Sequence, residues 1–446
     1  MKFWHHDRMP PDSLIDTLHA SLAHLPPGAI VVAFSGGMDS SALLHALAQI
    51  PAVRERGLRA LHVDHGLHAD STRWAEHCHA FAANLGLELA MVEVGVAHAT
   101  GSGPEAAARK ARQSAYAEHL SPGEILALAQ HRDDQAETIL LKLLRGAGPE
   151  GLGGMRTLRS VGKSYWWRPL LAVPRAILAE YAHTHGLRWI DDPSNTDTRL
   201  RRNFLRHEIL PRLTQRWPNA QVALAHSATW ARAAADFIGD EAQHALTRIQ
   251  GSDPITLAWR PWLELHAALR DPVLRLWLRQ LDLAEPAHFH VVEIERQLRT
   301  AGEDRLPCVR WPGSEIRRYR DLLYAMPPLA PVPNDWEASW DGSAFALPGG
   351  GTLTFASDTQ AVVVHLTSPL QVRYRRGGER LKPVGHAHTR ELRLLLQEAG
   401  IPPWLRARVP LIYANGELIA AGDLFRGEPA RELCARHGAR IVWTRA

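Results

Sequence analysis

The chain has 446 residues, of which 22% are charged and 46% are hydrophobic, and its formal net charge is +4. This length predicts more than one hydrophobic core, and the composition is that of a globular protein rather than a disordered chain. The cysteines Cys78, Cys308 and Cys434 form no CxxC pair, which argues against a zinc ribbon, an iron–sulfur site or a redox disulfide. No apolar run approaches the roughly 20 residues of a membrane span, and the N-terminus lacks a signal peptide's apolar segment. We therefore expect a cytoplasmic protein without a membrane partner.

Strand and helix patterns alternate between about residues 29 and 190. Short connections between such elements predict parallel strands with right-handed crossovers, and ligands bind at the carboxyl ends of such strands. The predicted strands lie in 29–37, 58–67, 87–95 and 124–131, and the predicted helices in 40–50, 71–86, 103–120 and 132–148.

The remaining sequence changes character twice. Helical patterns dominate 216–325, the Pro-rich stretch 326–336 is typical of a linker, and short β patterns with one helix follow. The predicted fold is α/β, with a Rossmann-like parallel sheet at the N-terminus, a helical middle domain and a small α+β domain at the end. The predicted domains are 1–215, 216–325, 326–370 (linker and start of the end domain) and 371–446.

A glycine-containing loop, Ser35-Gly36-Gly37-Met38-Asp39-Ser40-Ser41, follows the first predicted strand. Glycines let the backbone turn sharply, and the amides at the start of the next helix favour an anion. The loop lacks the lysine of a Walker A loop and is not a GxGxxG fingerprint. Asp39 would repel phosphates unless Mg²⁺ lay between them. The pattern predicts a phosphate loop with a metal ligand, and a plain glycine turn with a capping serine is the alternative.

Polar residues also crowd the predicted junction between the fourth strand and the fourth helix, in "HRDDQAET", residues 131–138. Asp134 and Thr138 lie four residues apart and share a helix face. Carboxylates in a first helical turn are also ordinary stabilisers of a helix N-terminus, which is the alternative reading. His131, Asp133, Asp134 and Glu137 together exceed what capping requires, and they predict a second part of the site.

These two segments resemble motifs of the PP-loop ATP pyrophosphatases, in which an SGGxDS loop binds the leaving pyrophosphate of ATP. The second segment is similar to the HxDDQxET motif of the lysidine synthetases and related tRNA-modifying members. The resemblance implies that residues 35–41 bind ATP, that Asp39 and Asp134 hold Mg²⁺, and that His131 contacts phosphate or adenylate. It also implies a role for Arg145 facing the tRNA or the nucleotide.

Two further segments, "LHVDHGLHADS" and "EAAARKARQSAY", are similar to a strand end and a helix of the same family. The matching residues are His65, Gly66, Glu105, Arg109 and Arg112. The resemblance implies that His65 and Gly66 bind ATP near the adenosine and that Arg109 and Arg112 are catalytic. For the two arginines, a solvated helix face is the alternative. His68 stands where the family usually has Arg, and Gln113 stands where it has Tyr, so no role is carried over to either.

Basic segments after residue 190 resemble parts of the lysidine synthetases, and plain PP-loop amide ligases lack the first of them. They are "DPSN…RNFLR" in 192–206, "VRYRRGGER" in 372–380 and "IPPWLR" in 401–406. Arginine rows can follow an RNA backbone, and a Gly-Gly turn between arginines is typical of phosphate binding. For Trp404, packing in a core is favoured over base stacking. The tRNA-binding residues that the resemblance implies are Arg202, Asn203, Arg206, Arg373, Arg376, Arg380, Arg390, Trp404 and Arg406.

The resemblance implies a complete reaction. ATP would adenylate the wobble cytidine of tRNA(Ile) with a CAU anticodon, and free lysine would then displace AMP from carbon 2, changing the tRNA from a Met to an Ile codon. ATP, Mg²⁺, lysine and the anticodon and stem of tRNA(Ile) are the expected partners, and a homodimer is one option. A PP-loop tRNA thiolase is the enzyme alternative, disfavoured because no cysteine pair is present. A non-catalytic RNA-binding protein is the other, and intact Asp39, Ser40 and Asp134 argue against it.

Overall fold

The computed structural model describes residues 13–64, 71–94, 104–302, 305–333, 335–357, 365–366 and 368–445, with the backbone alone described at 13 and 104–110. The chain divides into two compact units, Met1–Gly239 and Asp240–Ala446. Among the described residues, none of the helices combines the length and the hydropathy that crossing a membrane requires.

The first unit contains a six-stranded sheet in the order β3-β2-β1-β4-β6-β5. All neighbouring strands are parallel except the edge pair β5 and β6. The four predicted strands and their parallel arrangement are confirmed, whereas the edge hairpin was not predicted from the sequence. The strands are β1 (Ile30–Ala33), β2 (Leu58–Asp64), β3 (Leu89–Glu93), β4 (Ile125–Ala127), β5 (Leu158–Val161) and β6 (Ser164–Trp167).

Helices cover both faces of this sheet. Ile30 and Val32 pack into one core and Val31 and Ala33 into another, so both sides of β1 are buried, as a doubly wound sheet requires. The helices are α1 (Ser13–Leu22), α2 (Met38–Ala48), α3 (Pro51–Arg56), α4 (Ser71–Asn84), α5 (Pro104–His119), α6 (Arg132–Leu143), α7 (Pro149–Leu152), α8 (Arg175–Thr184), α9 (Arg201–Phe204), α10 (Leu210–Arg216) and α11 (Ala220–Ile249). A 3₁₀ turn, Pro193–Thr196, precedes α9, and one π-helical turn, Leu205–Ile209, joins α9 to α10.

The second unit begins with a helical region that also contains an antiparallel sheet in the order β7-β10-β9-β8. Trp262 and Trp277 are fully buried between the helices and the sheet. The predicted helices are present, whereas the sheet was not predicted from the sequence. The elements are β7 (Thr256–Ala258), α12 (Trp259–Glu264), α13 (Ala267–Gln280), α14 (His288–Thr300), β8 (Cys308–Trp311), β9 (Ser314–Tyr319) and β10 (Leu322–Met326).

The rest of the second unit is the predicted small α+β region. Its largest sheet has the order β11-β14-β17-β18-β19, and a second sheet has the order β12-β13-β20. Leu353, Val372 and Leu411 are fully buried in its core. The elements are β11 (Glu337–Trp340), β12 (Phe345–Ala346), β13 (Thr352–Ser357), β14 (Leu370–Arg373), β15 (Arg380–Leu381), β16 (Arg390–Glu391), α15 (Leu392–Glu398), α16 (Pro403–Arg406), β17 (Leu411–Ala414), β18 (Glu417–Ala421), β19 (Phe425–Arg426), α17 (Glu428–His437) and β20 (Ala439–Thr444).

Candidate active site

The glycine loop joins β1 to α2 at the carboxyl edge of the parallel sheet. Gly36 has φ +78°, and a Cβ at this position would lie 2.5 Å from Ile190 Cδ1 and 2.8 Å from Cys78 Sγ. The Ile190 amide donates to the Gly36 carbonyl at 2.9 Å. Only glycine fits this backbone, because the conformation is left-handed and the space behind it is filled. The conformation of the loop is therefore fixed by its packing against Ile190 and Cys78.

Serine side chains brace the loop from within. Ser40 Oγ donates to the Gly37 carbonyl at 3.0 Å and lies 3.1 Å from Ser35 Oγ. Ser41 Oγ donates to the Gly36 carbonyl at 3.4 Å. Gly37 is the N-cap residue of α2, and no side chain caps the helix. Helix geometry leaves the first-turn amides without carbonyl partners, so they can receive an anion.

His131 links the two motifs that the sequence singled out. It is the N-cap residue of α6 and only 1% exposed, and its Nε2 lies 3.7 Å from Asp39 Oδ2 and 3.4 Å from Asp134 Oδ2. Burial lowers the pKa of His131, but hydrogen bonding with Asp133 and Asp39 and the charges of Asp134 and Asp39 outweigh burial and raise it to about 9. The loop and the α6 start therefore form one site, as predicted for parallel strands that end at one edge.

Asp39 lies at the centre of this cluster. Burial raises its pKa, but His131 and Arg175 outweigh burial and hold the pKa below its ordinary value. Arg175 Nε lies 3.3 Å from Asp39 Oδ1, in an ion pair, and this buried Oδ1 accepts no hydrogen bond. An ionised carboxylate with a buried oxygen that accepts no hydrogen bond is the kind of group that binds a metal ion.

The start of α8 is tied to the start of α6 through Asp133. The Arg175 amide donates to Asp133 Oδ2 at 3.0 Å, and Gln221 Nε2 donates to Oδ1 at 3.0 Å. Burial raises the pKa of Asp133, but these donors and His131 lower it far below its ordinary value. Sequence reasoning assigned no role to Arg175 or Gln221, because nothing in the chain order relates residue 221 to residue 133.

Glu137 anchors two arginines beside the cluster. Its carboxylate is fully buried and accepts from Arg202 Nε and Arg206 Nε, each at 2.7 Å. Arg206 Nη2 also donates to Asp134 Oδ1 at 3.1 Å. Burial lowers the pKa of Arg206, whereas Glu137, Asp134 and Asp39 raise it, with a net increase. The arginines predicted to lie along RNA instead face the carboxylates of the site.

Asn203, predicted to contact tRNA, is buried as well. Its Nδ2 donates to the carbonyls of Ser194 at 2.8 Å and Asp197 at 3.0 Å, so it holds the 3₁₀ turn against α9. The "DPSN…RNFLR" string is therefore a turn and a helix joined by their own hydrogen bonds. The tRNA contacts predicted for Arg202, Asn203 and Arg206 stay predictions.

The other predicted residues of the first unit lie elsewhere or outside the described part. Arg145 follows the end of α6, which at about 1.5 Å per residue places it about 20 Å from His131, away from the carboxylate cluster. Its two predicted contacts, with the tRNA and with the nucleotide, stay predictions. Arg112 is exposed on α5. His65, Gly66 and the side chain of Arg109 lie outside the described residues.

Three family models match the chain. A PP-loop domain matches residues 12–213, a TilS substrate binding domain matches 257–324, and a TilS substrate C-terminal domain matches 370–443. A tRNA(Ile)-lysidine synthase of Xanthomonas campestris pv. campestris is 46% identical over 422 residues, which are 94% of this chain and 96% of that protein. The chain belongs to the tRNA(Ile)-lysidine synthase family.

More distant members of the family match over the same span. A tRNA(Ile)-lysidine synthase of Xylella fastidiosa is 41% identical and covers 96% of this chain and 98% of its own length. One of Pseudomonas aeruginosa is 40% identical and covers 94% and 93%. The resemblance inferred from the motifs is therefore confirmed over nearly the whole chain, including the middle region, where the sequence motifs were few.

The family's C-terminal region contains the predicted basic turn, and the structure shows how that turn is held. Glu379 accepts the backbone N–H of Gly377 at 2.8 Å and that of Arg376. Backbone amides that already donate to a carboxylate are not free to bind another anion. These two amides are therefore already paired within the turn, and phosphate binding by the Gly-Gly turn and its arginines stays a prediction.

Those side chains are partly engaged with neighbours. Arg373 lies 4.0 Å from the centre of the Tyr413 ring, and Arg376 Nη2 is 3.3 Å from Glu337 Oε2. Arg390 makes a two-pronged ion pair with Glu398. Arg380 is exposed, with one long contact to a carbonyl. The tRNA contacts of these four arginines stay predictions.

Trp404 and Arg406 are half-buried and pack against neighbours in the second unit. The Trp404 ring meets Tyr324 edge to face at 5.4 Å, and the Arg317 guanidinium lies 5.3 Å from its centre. Arg406 donates to the Ile401 carbonyl at 2.7 Å and to the Tyr319 hydroxyl at 2.9 Å. These contacts support packing as the role of Trp404, which was the favoured reading, over stacking on a tRNA base.

Proposed function

We propose that this protein ligates free lysine to carbon 2 of the wobble cytidine in tRNA(Ile), with ATP as the energy source and AMP and pyrophosphate as products. The observation that carries the proposal is the convergence of Asp39, His131 and Asp134 beside the glycine loop. Membership of a family whose members are named tRNA(Ile)-lysidine synthases supports the same reaction.

Residues 35–41 are proposed to hold the pyrophosphate of ATP. The first-turn amides of α2 point toward the carboxyl edge of the sheet, where the helix dipole favours negative charge. The hydroxyls of Ser35 and Ser40 stand within the loop, 3.1 Å apart, and can turn toward phosphate oxygens. The absence of a lysine in the loop suits loss of pyrophosphate rather than transfer of a terminal phosphoryl group.

Mg²⁺ is proposed to bind Asp39 and Asp134. The donor set fits because both are oxygen ligands, both lie within 4 Å of the same His131 nitrogen, and Asp39 Oδ1 has no hydrogen-bond donor. Within the described residues no three His, Cys, Asp or Glu side chains form a complete metal cage, so phosphate oxygens and water would supply the remaining positions. The ion would neutralise charge on the departing pyrophosphate.

Arg202, Arg206 and His131 are proposed to stabilise the charge that develops when the cytidine oxygen attacks the α-phosphate. All three side chains are held in place before substrate arrives, by Glu137 or by the carboxylates of the site. Preorganised positive groups in a partly buried site stabilise a transition state more than they would in water. This assignment replaces the tRNA-backbone role that the sequence suggested for the two arginines.

The second step is proposed to use the amine of free lysine as the nucleophile. A thiolase would need a reactive thiol near the site, and Cys78, beneath the loop, is fully buried. Burial raises the pKa of the Cys78 thiol to about 12, so it has no tendency to form the thiolate. This observation disfavours sulfur transfer and leaves an amine from solution as the simplest nucleophile.

The proposal is tested by supplying tRNA(Ile), ATP and each of the 20 amino acids in turn and measuring AMP release. Release that requires both tRNA and lysine, together with radiolabelled lysine in the tRNA, is the expected result. Labelled sulfur entering the tRNA in place of lysine would establish the thiolase alternative. No amino-acid dependence and no AMP release would favour the non-catalytic RNA-binding protein.

Asp39→Asn tests the metal role within this reaction. Removing a carboxylate charge at the pyrophosphate should reduce tRNA-dependent ATP–pyrophosphate exchange by at least about 100-fold, while tRNA affinity changes by less than about twofold. Asp16→Asn, the same change in the first turn of α1, is the matched control and should keep full exchange. Normal exchange by the Asp39 variant would refute the metal assignment.

A further inference from the structure

The segment 199–217 contains six arginines and one acidic residue. Arg199 pairs with Asp197, and the other five arginines divide between two faces. Arg202 and Arg206 turn inward to Glu137. On the outer side, Arg201, Arg212 and Arg216 are exposed. The inner pair therefore contacts the candidate active site, whereas the outer three face solvent.

Two aromatic side chains are exposed in the same segment. Phe204 is 45% exposed and Trp217 is 60% exposed, although large apolar side chains are usually buried. The Arg216 guanidinium lies 5.9 Å from the centre of the Trp217 ring. Exposed arginines interleaved with exposed aromatics match the needs of single-stranded RNA, where phosphates meet cations and unstacked bases meet rings.

The backbone explains how one segment presents two faces. The π-helical turn Leu205–Ile209 interrupts the helix between α9 and α10. The inner residues Arg202 and Arg206 stay one turn apart and share the Glu137 carboxylate. The outer residues Arg201 and Phe204 belong to the same short helix, α9, as the inner residue Arg202. Single π turns of this kind occur frequently at functional sites.

We infer that the outer face of this segment, made of Arg201, Phe204, Arg212, Arg216 and Trp217, binds the anticodon loop of the substrate tRNA. The inference rests on the proposed function and names the surface that presents the wobble nucleotide to the carboxylate site. The charge of this surface indicates which partner binds to it. Within the segment, the three arginines have one neighbouring carboxylate, Glu208, which lies 3.4 Å from Arg212. A polyanion with exposed bases satisfies both the cations and the rings.

The test compares full-length Arg201→Ala/Arg216→Ala with the wild-type protein and with Lys163→Ala. Lys163 is exposed in the turn before β6, at the amino edge of the parallel sheet, whereas the carboxylate site lies at the carboxyl edge. Lys163→Ala therefore serves as the control for loss of positive charge. The dissociation constant for tRNA(Ile) is measured at several salt concentrations, and ATP affinity is measured in parallel. Unchanged ATP affinity and melting temperature identify variants that are folded.

The double variant is expected to bind tRNA about tenfold more weakly, and its slope of log affinity against log salt should fall by about 2, one for each phosphate that an arginine no longer neutralises. Lys163→Ala should leave both values unchanged, and Arg201→Lys/Arg216→Lys should restore the slope. Trp217→Leu should weaken binding about five- to tenfold without changing the slope, because stacking carries no counterion release.

An unchanged tRNA affinity and slope in the folded double variant would overturn the inference. Equal losses of affinity in the double variant and in Lys163→Ala would also overturn it, since they would show only an effect of net charge. The outcome is independent of the reaction assignment: wild-type protein that fails to incorporate lysine refutes the proposed function, whereas binding and its salt slope are read without turnover.

Discussion

Replacing Glu137 with glutamine should damage both the stability of the first unit and its affinity for Mg·ATP. The substitution keeps the shape of the side chain but leaves Arg202 and Arg206 without their shared anion, which is fully buried. Breaking a buried ion pair by removing one partner costs about 3–5 kcal/mol. The arginine side chains remain 21% and 29% exposed, and Arg206 keeps Asp134 at 3.1 Å, so we expect the lower part of the range or slightly below it, about 2–3 kcal/mol.

The functional loss has a separate cause. Without Glu137, the two guanidinium groups are drawn toward Asp134, which Arg206 already contacts at 3.1 Å and Arg202 approaches at 3.8 Å. A guanidinium on that carboxylate competes with a metal ion, so a higher Mg²⁺ concentration should be needed for half-maximal ATP binding. Titration calorimetry of ATP at several Mg²⁺ concentrations measures this shift.

Glu124→Gln is the matched control. Glu124 pairs with Arg59 at 2.7 Å, its side chain is 13% exposed, and it precedes β4 at the amino edge of the sheet. Both variants should lower the melting temperature of the first unit, by about 4–12 °C for Glu137→Gln, at roughly 2–4 °C per kcal/mol. Only Glu137→Gln should change the Mg²⁺ requirement. Wild-type melting and an unchanged Mg²⁺ requirement in that variant would refute this reasoning.

Two further predictions concern the glycine loop and α2, the helix that follows it. Gly36→Ala should abolish ATP binding measured by calorimetry, because φ is +78° and the new Cβ would meet Cys78 Sγ at 2.8 Å; binding within about twofold of the wild type would contradict the tight support. His45, whose Nδ1 lies 2.9 Å from the Tyr181 hydroxyl, has its pKa lowered from 6.5 by burial and by the charge of His185. The contribution of His45 to stability is therefore complete above about pH 6.5 and declines as the pH falls below that value. The free energy of unfolding measured in urea should decrease more between about pH 7 and 5 for the wild type than for His45→Gln. Equal pH profiles for the two proteins would exclude His45 as the source.

The amino-acid sequence was sufficient for the class of fold, and it indicated which two polar segments meet at one edge of the sheet. Apolar runs of strand length that alternate with helical patterns predict a parallel sheet, and the polar residues after the first and fourth runs had to meet because β1 and β4 are neighbours. The edge hairpin and the sheet β7-β10-β9-β8 were not predicted, since several of their strands contain charged residues such as Arg159, Arg310 and Arg317 in place of a continuous apolar run.

Sequence by itself determined which chemical groups this protein has: a glycine loop with Asp39, a helix start with His131 and Asp134, and arginine-rich segments. Only the tertiary structure decided which way each arginine faces, because the sequence motif Arg-Asn-x-x-Arg is the same whether its arginines face solvent or a buried carboxylate. Glu137 drew Arg202 and Arg206 inward, since a fully buried anion must be paired, and this left Arg201 and its exposed neighbours to form the outer face.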